Sequence, residues 1–176
     1  FVSFLVEGAV GDWSALYLFE DKGIVIEEAV MGVMFFNATM CIGRLLGNRL
    51  GKHLTSKQVV ISGYLLGSVA MALVVLLPGY GSMYTYLLVG ISLAMVVPNL
   101  FSAMGEQNVI PMTQAVATST MLGYMGILMG PALIGFIAHA TSLTIAFSVL
   151  TAMLVISAGI GKYAYMLMDK SKEAEV

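Results

Sequence analysis

Apolar residues in this chain come in long blocks, and polar residues gather in short clusters between them. A helix needs about 20 mostly apolar residues to cross about 30 Å of hydrocarbon. Six blocks reach that length, at residues 1–19, 25–47, 58–77, 82–104, 112–139 and 142–168. Glu20-Asp21-Lys22-Gly23 closes the first, and Gly51-Lys52-His53-Leu54-Thr55-Ser56-Lys57 follows the second. Pro78-Gly79-Tyr80-Gly81 forms a hairpin turn. Gly105-Glu106-Gln107-Asn108 precedes Pro111, which suits a helix start because the first turn leaves its N–H groups unbonded anyway. His139-Ala140-Thr141-Ser142 makes the last connection, and Asp169–Val176 is a charged tail expected to fray. A transmembrane barrel requires alternating apolar and polar positions. Val69–Leu77 and Ile145–Ile156 show no alternation. The pattern predicts an all-α membrane protein, with a six-transmembrane-helix bundle over residues 1–168 and a cytoplasmic tail over 169–176.

Composition strengthens that reading. Hydrophobic residues make up 59% and charged residues 10%, with a mean hydropathy of +0.94. A soluble domain carries about 25% charged residues, so this chain cannot clothe a water-facing surface. A net charge of −2 argues against nucleic acid as a partner. The single Cys41 excludes a disulfide framework and a thiolate metal cluster. The chain opens on Phe1 and is apolar at once, without the charged region or cleavage site of a signal peptide. It is expected to begin inside or just before a membrane helix, as part of a longer protein.

Basic residues then set the orientation. Arg44, Arg49, Lys52 and Lys57 surround the loop after the second block, and Lys162, Lys170 and Lys172 lie at the end of the sixth. The other side holds Lys22 among Glu20, Asp21, Glu27 and Glu28. Both termini are expected in the cytoplasm. Six spans also invite a division into two groups of three, the inverted 3+3 repeat of many carriers. A shift of 87 residues superposes Gly43 on Gly130 and Gly11 on Pro98.

Ionisable groups at membrane depth are costly and mark functional sites by default. The first span carries Glu7 and Asp12, about 140° apart around the helix. They cannot easily share one proton. Each is a candidate for a solute or proton pathway, or alternatively a structural carboxylate paired with a basic residue. Trp13 and Tyr17 read as a ligand-stacking edge or, in preference, as packing residues and interfacial anchors. In the second span Asn37, Cys41 and Arg44 line one face, and Asn37 either contacts solute or bridges two helices. In the fourth, Pro98 breaks the hydrogen-bond ladder beside Asn99, which makes that carbonyl and amide a solute contact, a hinge or a static kink. The fifth aligns Gln114, Thr118, Met121 and Met125. The third and sixth spans carry neither amide nor carboxylate at mid-depth and are expected on the outside, facing lipid. The first, second, fourth and fifth are expected to surround the polar path. His53 and His139 fall at opposite faces and cannot share a metal. No catalytic triad, phosphate loop or metal-ligand spacing appears, so neither an enzyme nor a cofactor is expected.

The stretch Gly43-Arg44-Leu45-Leu46-Gly47-Asn48-Arg49-Leu50-Gly51-Lys52-His53 resembles the cytoplasmic signature G-R-L-x-x-D-R-x-G-R-R of the major facilitator superfamily (MFS). Asn48 stands at the acidic position and His53 at a basic one, a decay that resembles the second copy of the motif. Gly123–Gly135 is similar to that family's helix 11, Pro98–Gly105 to the end of its helix 10, and Glu7–Leu18 to helix 7 of a bacterial inner-membrane branch. The resemblance implies helices 7–12, the C-terminal half of a twelve-helix transporter moving a small solute by alternating access, with proton coupling through Glu7 or Asp12. It also implies a cytoplasmic gate motif at Gly43, Arg44, Asn48, Arg49, Gly51 and Lys52, and helix hinges at Pro98, Gly130 and Pro131. The partners implied are a small-molecule solute, the lipid bilayer, and either an N-terminal six-helix half or a second copy. Loss of the acidic residue at position 48 puts the family's charge-relay lock in doubt for this half. An exporter of the same fold, or a membrane sensor or structural module that does not transport, are the rival readings.

Overall fold

The computed structural model describes residues 1–50, 54–105 and 110–174, and for residues 48–50, 169 and 171–174 it describes the backbone alone. The described residues form helices α1 (Val2–Glu20), α2 (Ile26–Ala29), α3 (Met31–Leu50), α4 (Ser56–Leu76), α5 (Gly79–Leu93), α6 (Val96–Met104), α7 (Met112–Ala140) and α8 (Leu143–Ala174), with no strand among them. Six stretches are long and apolar enough to cross a bilayer: Val2–Glu20, Ile26–Gly47, Ser56–Leu76, Gly79–Met104, Met112–Ala140 and Leu143–Met168. The class is an all-helical, multi-pass membrane protein. In lipid only internally bonded backbone is tolerated, and long helices meet that demand.

Local chemistry fixes the boundaries. After α1 the chain turns at Gly23, whose φ of +71° suits a residue without Cβ. Lys22 then donates to the Val75 carbonyl at 2.6 Å, closing the C-terminal end of α4, where a cation is favoured. Thr55 opens α4 with a reciprocal cap: its Oγ1 accepts from the Gln58 amide, and the Gln58 side chain accepts from the Thr55 amide. Gly79, at φ +49°, turns the chain into α5. Asp21 accepts from the Thr144 amide at 3.1 Å and its hydroxyl at 2.7 Å, holding the first turn of α8 against the end of α1. At the sixth span, α8 continues past the apolar stretch ending at Met168 as far as Ala174, into the segment expected to fray.

The fourth span differs from its expected form. The helix breaks at Ala94-Met95, between α5 and α6, rather than at Pro98. Pro98 is the cause nonetheless. It has no N–H to offer the carbonyl four residues earlier, which is that of Ala94, and it comes to lie in the first turn of α6, where a missing N–H is tolerated.

Packing sets the third and sixth spans side by side. Helices α4 and α8 lie against each other, and their outward faces (Leu65, Leu66, Val69 and Leu76; Val155, Ile156 and Ile160) are apolar and exposed. Asp12, Asn37, Gln114 and Thr118 are exposed on α1, α3 and α7. Helix α1 touches α7, α3, α8 and α5, and contributes the buried Leu5, Val6, Val10, Tyr17 and Leu18 to the core.

Candidate functional site: an ion pair beside a broken helix

The sequence singled out Glu7 and Arg44 for separate reasons, and the fold joins them. An Arg44 guanidinium nitrogen donates to Glu7 Oε1 at 2.9 Å. The Glu7 side chain is 18% exposed and that of Arg44 44%. The carboxylate is therefore largely withdrawn while its cation stays at the surface. Removing Arg44 leaves the largely withdrawn Glu7 carboxylate without its counter-ion.

The pair sits beside the break in the fourth span. Residues Gly43 and Gly47 flank Arg44 by one and three positions, and both face the break. A Cβ at Gly43 would meet the Ala94 Cβ, and one at Gly47 would meet the Met95 sulfur. The carbonyl of Met95 accepts from the Asn99 side-chain amide at 2.8 Å and from its backbone amide at 3.2 Å. Asn99 thus stitches the start of α6 in place of the lost ladder bond. Below this level lies an apolar crevice of ≈120 Å³, where Phe1 and Phe4 of α1 face Val97 and Phe101 of α6 and Leu122 of α7. Phe4 precedes Glu7 by three residues, so the two are neighbours on one face of α1.

The other candidates stand apart from this centre. Asp12 is exposed on α1, and Asn37 is exposed on α3 on the same face as Arg44. Gly130 and Pro131, expected as a hinge, lie in an unbroken α7. Gly130 is buried where a Cβ would strike the Leu5 carbonyl oxygen, and the Pro131 carbonyl accepts from Trp13 Nε1 at 2.9 Å. The gate-motif residues Asn48, Arg49, Gly51 and Lys52, with His53, lie outside the described residues, or at 48 and 49 outside the described side chains.

The opposite end of the bundle is laced by neutral and charged hydrogen bonds. Besides the Lys22 and Asp21 contacts, Tyr80 donates to Glu28, and Ser82 donates to the Val74 carbonyl at 2.7 Å. A cavity of ≈380 Å³ there is bordered by Trp13, Glu20, Asp21 and His139. Sequence reasoning did not foresee these ties, nor that Glu7 and Arg44 form one unit. The i, i+4, i+7 face of Asn37, Cys41 and Arg44 was legible, but nothing in the sequence says which helix that face meets.

A bundle of six membrane-length helices with a carboxylate–guanidinium pair on two of them is an integral membrane protein whose pair is a candidate functional site. The chain is 39% identical over 156 residues to an uncharacterized MFS-type transporter of Yersinia pestis, an alignment covering 88% of this chain and 41% of that protein. It is 29% identical over 144 residues to membrane protein MosC of Rhizobium meliloti, covering 81% of this chain and 35% of that one. It is 32% identical over 146 residues to an uncharacterized transporter of Sinorhizobium fredii, covering 81% and 38%. No family model and no solved structure matches the chain. The chain belongs to the major facilitator superfamily. It spans about two-fifths of the length of these relatives.

Proposed function

We propose that these residues form the C-terminal six-helix half of a twelve-helix secondary transporter, which moves a small solute by alternating access and couples it to protons. Both termini face the cytoplasm of a bacterial cell, so the Glu7–Arg44 pair lies toward the cytoplasmic side. The basic residues gathered at that end support this orientation.

The half is built as two inverted triplets. Helix pairing supports this: α1 packs on α7 as α5 packs on α3, and α4 packs on α8. The 87-residue shift gives the same answer at residue level, because Gly43 seats α3 on α5 and Gly130 seats α7 on α1. The partner is an N-terminal six-helix half facing the polar surfaces of α1, α3 and α7.

The observation that carries the mechanism is the Glu7–Arg44 ion pair across the α1–α3 seam. While ionised, Glu7 holds the Arg44 end of α3 against α1. A proton on Glu7 abolishes the attraction and frees a guanidinium that can turn toward the other half, toward solute or toward water. Such a change in pairing is a two-state element of the kind alternating access requires. Asp12, Asn37 and Asn99 are the further polar contacts offered to the pathway.

The test uses the full-length protein in liposomes loaded with the pH dye pyranine, challenged in turn with sugars, polyols, organic acids and amines. At least one solute should shift the internal pH with the wild-type protein, and Glu7→Gln should abolish that shift while still inserting. Equal solute-driven proton movement in Glu7→Gln would remove Glu7 from the coupling.

A further inference from the structure

Two phenols lie in the interior at the Lys22 end of the bundle. Tyr17 of α1 and Tyr86 of α5 are both 0% exposed, and neither hydroxyl has a hydrogen-bond partner among the described residues. A hydroxyl in such a place normally finds a partner, in protein or ordered water, since it is cut off from bulk solvent and leaving it unbonded is costly. The two residues lie within electrostatic reach of each other. They also share one layer of the core: the Tyr86 ring and Leu18, the residue after Tyr17, both border the Cβ-free space at Gly32.

Helix geometry bears on where the two hydroxyls lie. A long side chain on a helix leans toward the helix N-terminus. Successive spans run in opposite directions, so α1 and α5 are antiparallel and lean their phenols along the membrane normal in opposite senses. Tyr17 lies one turn from the end of α1, and Tyr86 lies about two turns inside the start of α5. The opposed leans bring the two hydroxyls toward a common level. The locus is closed around Tyr17 by Phe147, whose ring stacks on it at 4.4 Å between centroids. Lys22 Nζ stands 5.2 Å from the Tyr17 ring centroid.

We propose that the hydroxyls of Tyr17 and Tyr86 hold one ordered water molecule between them, a buried hydration site joining the first and fourth spans. A phenol both donates and accepts, so one water can accept from one tyrosine and donate to the other. Buried waters of this kind bridge otherwise unsatisfied groups and belong to the fold. The site lies within one six-helix half, so it travels with that half and is neither filled nor emptied during a transport cycle.

Tyr17→Phe, Tyr86→Phe and the double variant of the full-length protein in detergent test this by thermal unfolding. Each single change strands the water with one partner and should lower Tm, by about 2–4 °C. The double variant removes the need for the water and should lie no lower than the weaker single. A single change that raises Tm would mean a dry, unbonded hydroxyl, and strictly additive losses would mean no shared partner; either overturns the proposal. A high-resolution structure gives a second reading. Water density within hydrogen-bonding distance of both oxygens supports the site, and an empty gap or a direct contact between the hydroxyls refutes it.

Discussion

Helix α1 meets two neighbours in contrasting ways. Against α7 it comes to backbone contact: a Cβ at Gly126 would strike the Phe1 carbonyl, one at Gly130 the Leu5 carbonyl, and one at Gly8 would stand 2.6 Å from the Ile127 carbonyl. Trp13 locks the far end through the Pro131 carbonyl and lies over Gly135. Against α3 the contact near the same end of the bundle is the Glu7–Arg44 pair, half in reach of solvent. The first seam is held by close packing of small residues, the usual means of joining helices in lipid, where no hydrophobic force drives them together. The second combines packing of Leu18 on Gly32 with a charged contact that neutralising Glu7 would cancel. Under the proposed function, the first seam serves as a rigid unit and the second as a contact that can let go.

This contrast can be broken first at the packed seam. Gly130→Val puts a branched side chain against the Leu5 backbone, which cannot yield as a flexible side chain would. Overpacking of this kind costs about 1–3 kcal/mol where side chains can adjust, and the loss here should reach the upper end or exceed it. Thermal unfolding of the detergent-solubilised protein checks it. An unchanged Tm would mean that the α1–α7 approach is looser than described.

The charged seam should respond less, and differently. Arg44→Ala strands the Glu7 carboxylate, with a loss of about 1–3 kcal/mol, the usual cost of a buried group left unsatisfied. Adding Glu7→Gln should recover much of that loss, because the stranded charge is gone. A double-mutant cycle on Tm measures the recovery. No such recovery should be possible for Gly130→Val by altering charge anywhere on α1.

The sequence carried the coarse architecture because the bilayer imposes it. Six apolar blocks of sufficient length admit few alternatives, and each reappears as a membrane-length helical stretch, the fourth with a break. The residues of the ion pair and of the helix break, Glu7, Arg44, Asn99 and Pro98, also stood out, since polar groups and proline are conspicuous in an apolar helix. Their partners did not. That Arg44 meets Glu7, that Asn99 turns back on Met95, and that Tyr17 and Tyr86 each bury an unpartnered hydroxyl depend on how helices rotate against one another. Small residues set that rotation at the seams, and a glycine-rich chain offers many candidate seams. The displaced break in the fourth span has a local cause, readable once the proline's missing N–H is assigned to the carbonyl it fails to satisfy.

The most direct test of the α1–α3 latch uses Cys41, exposed on α3 three residues before Arg44. Its labelling by N-ethylmaleimide can be followed in membranes by mass spectrometry of its peptide across acidic to neutral pH. If a proton on Glu7 releases Arg44, the wild-type rate changes as pH falls, and Glu7→Gln shows the low-pH rate at every pH. A Glu7→Gln protein that keeps the wild-type pH profile would contradict the latch.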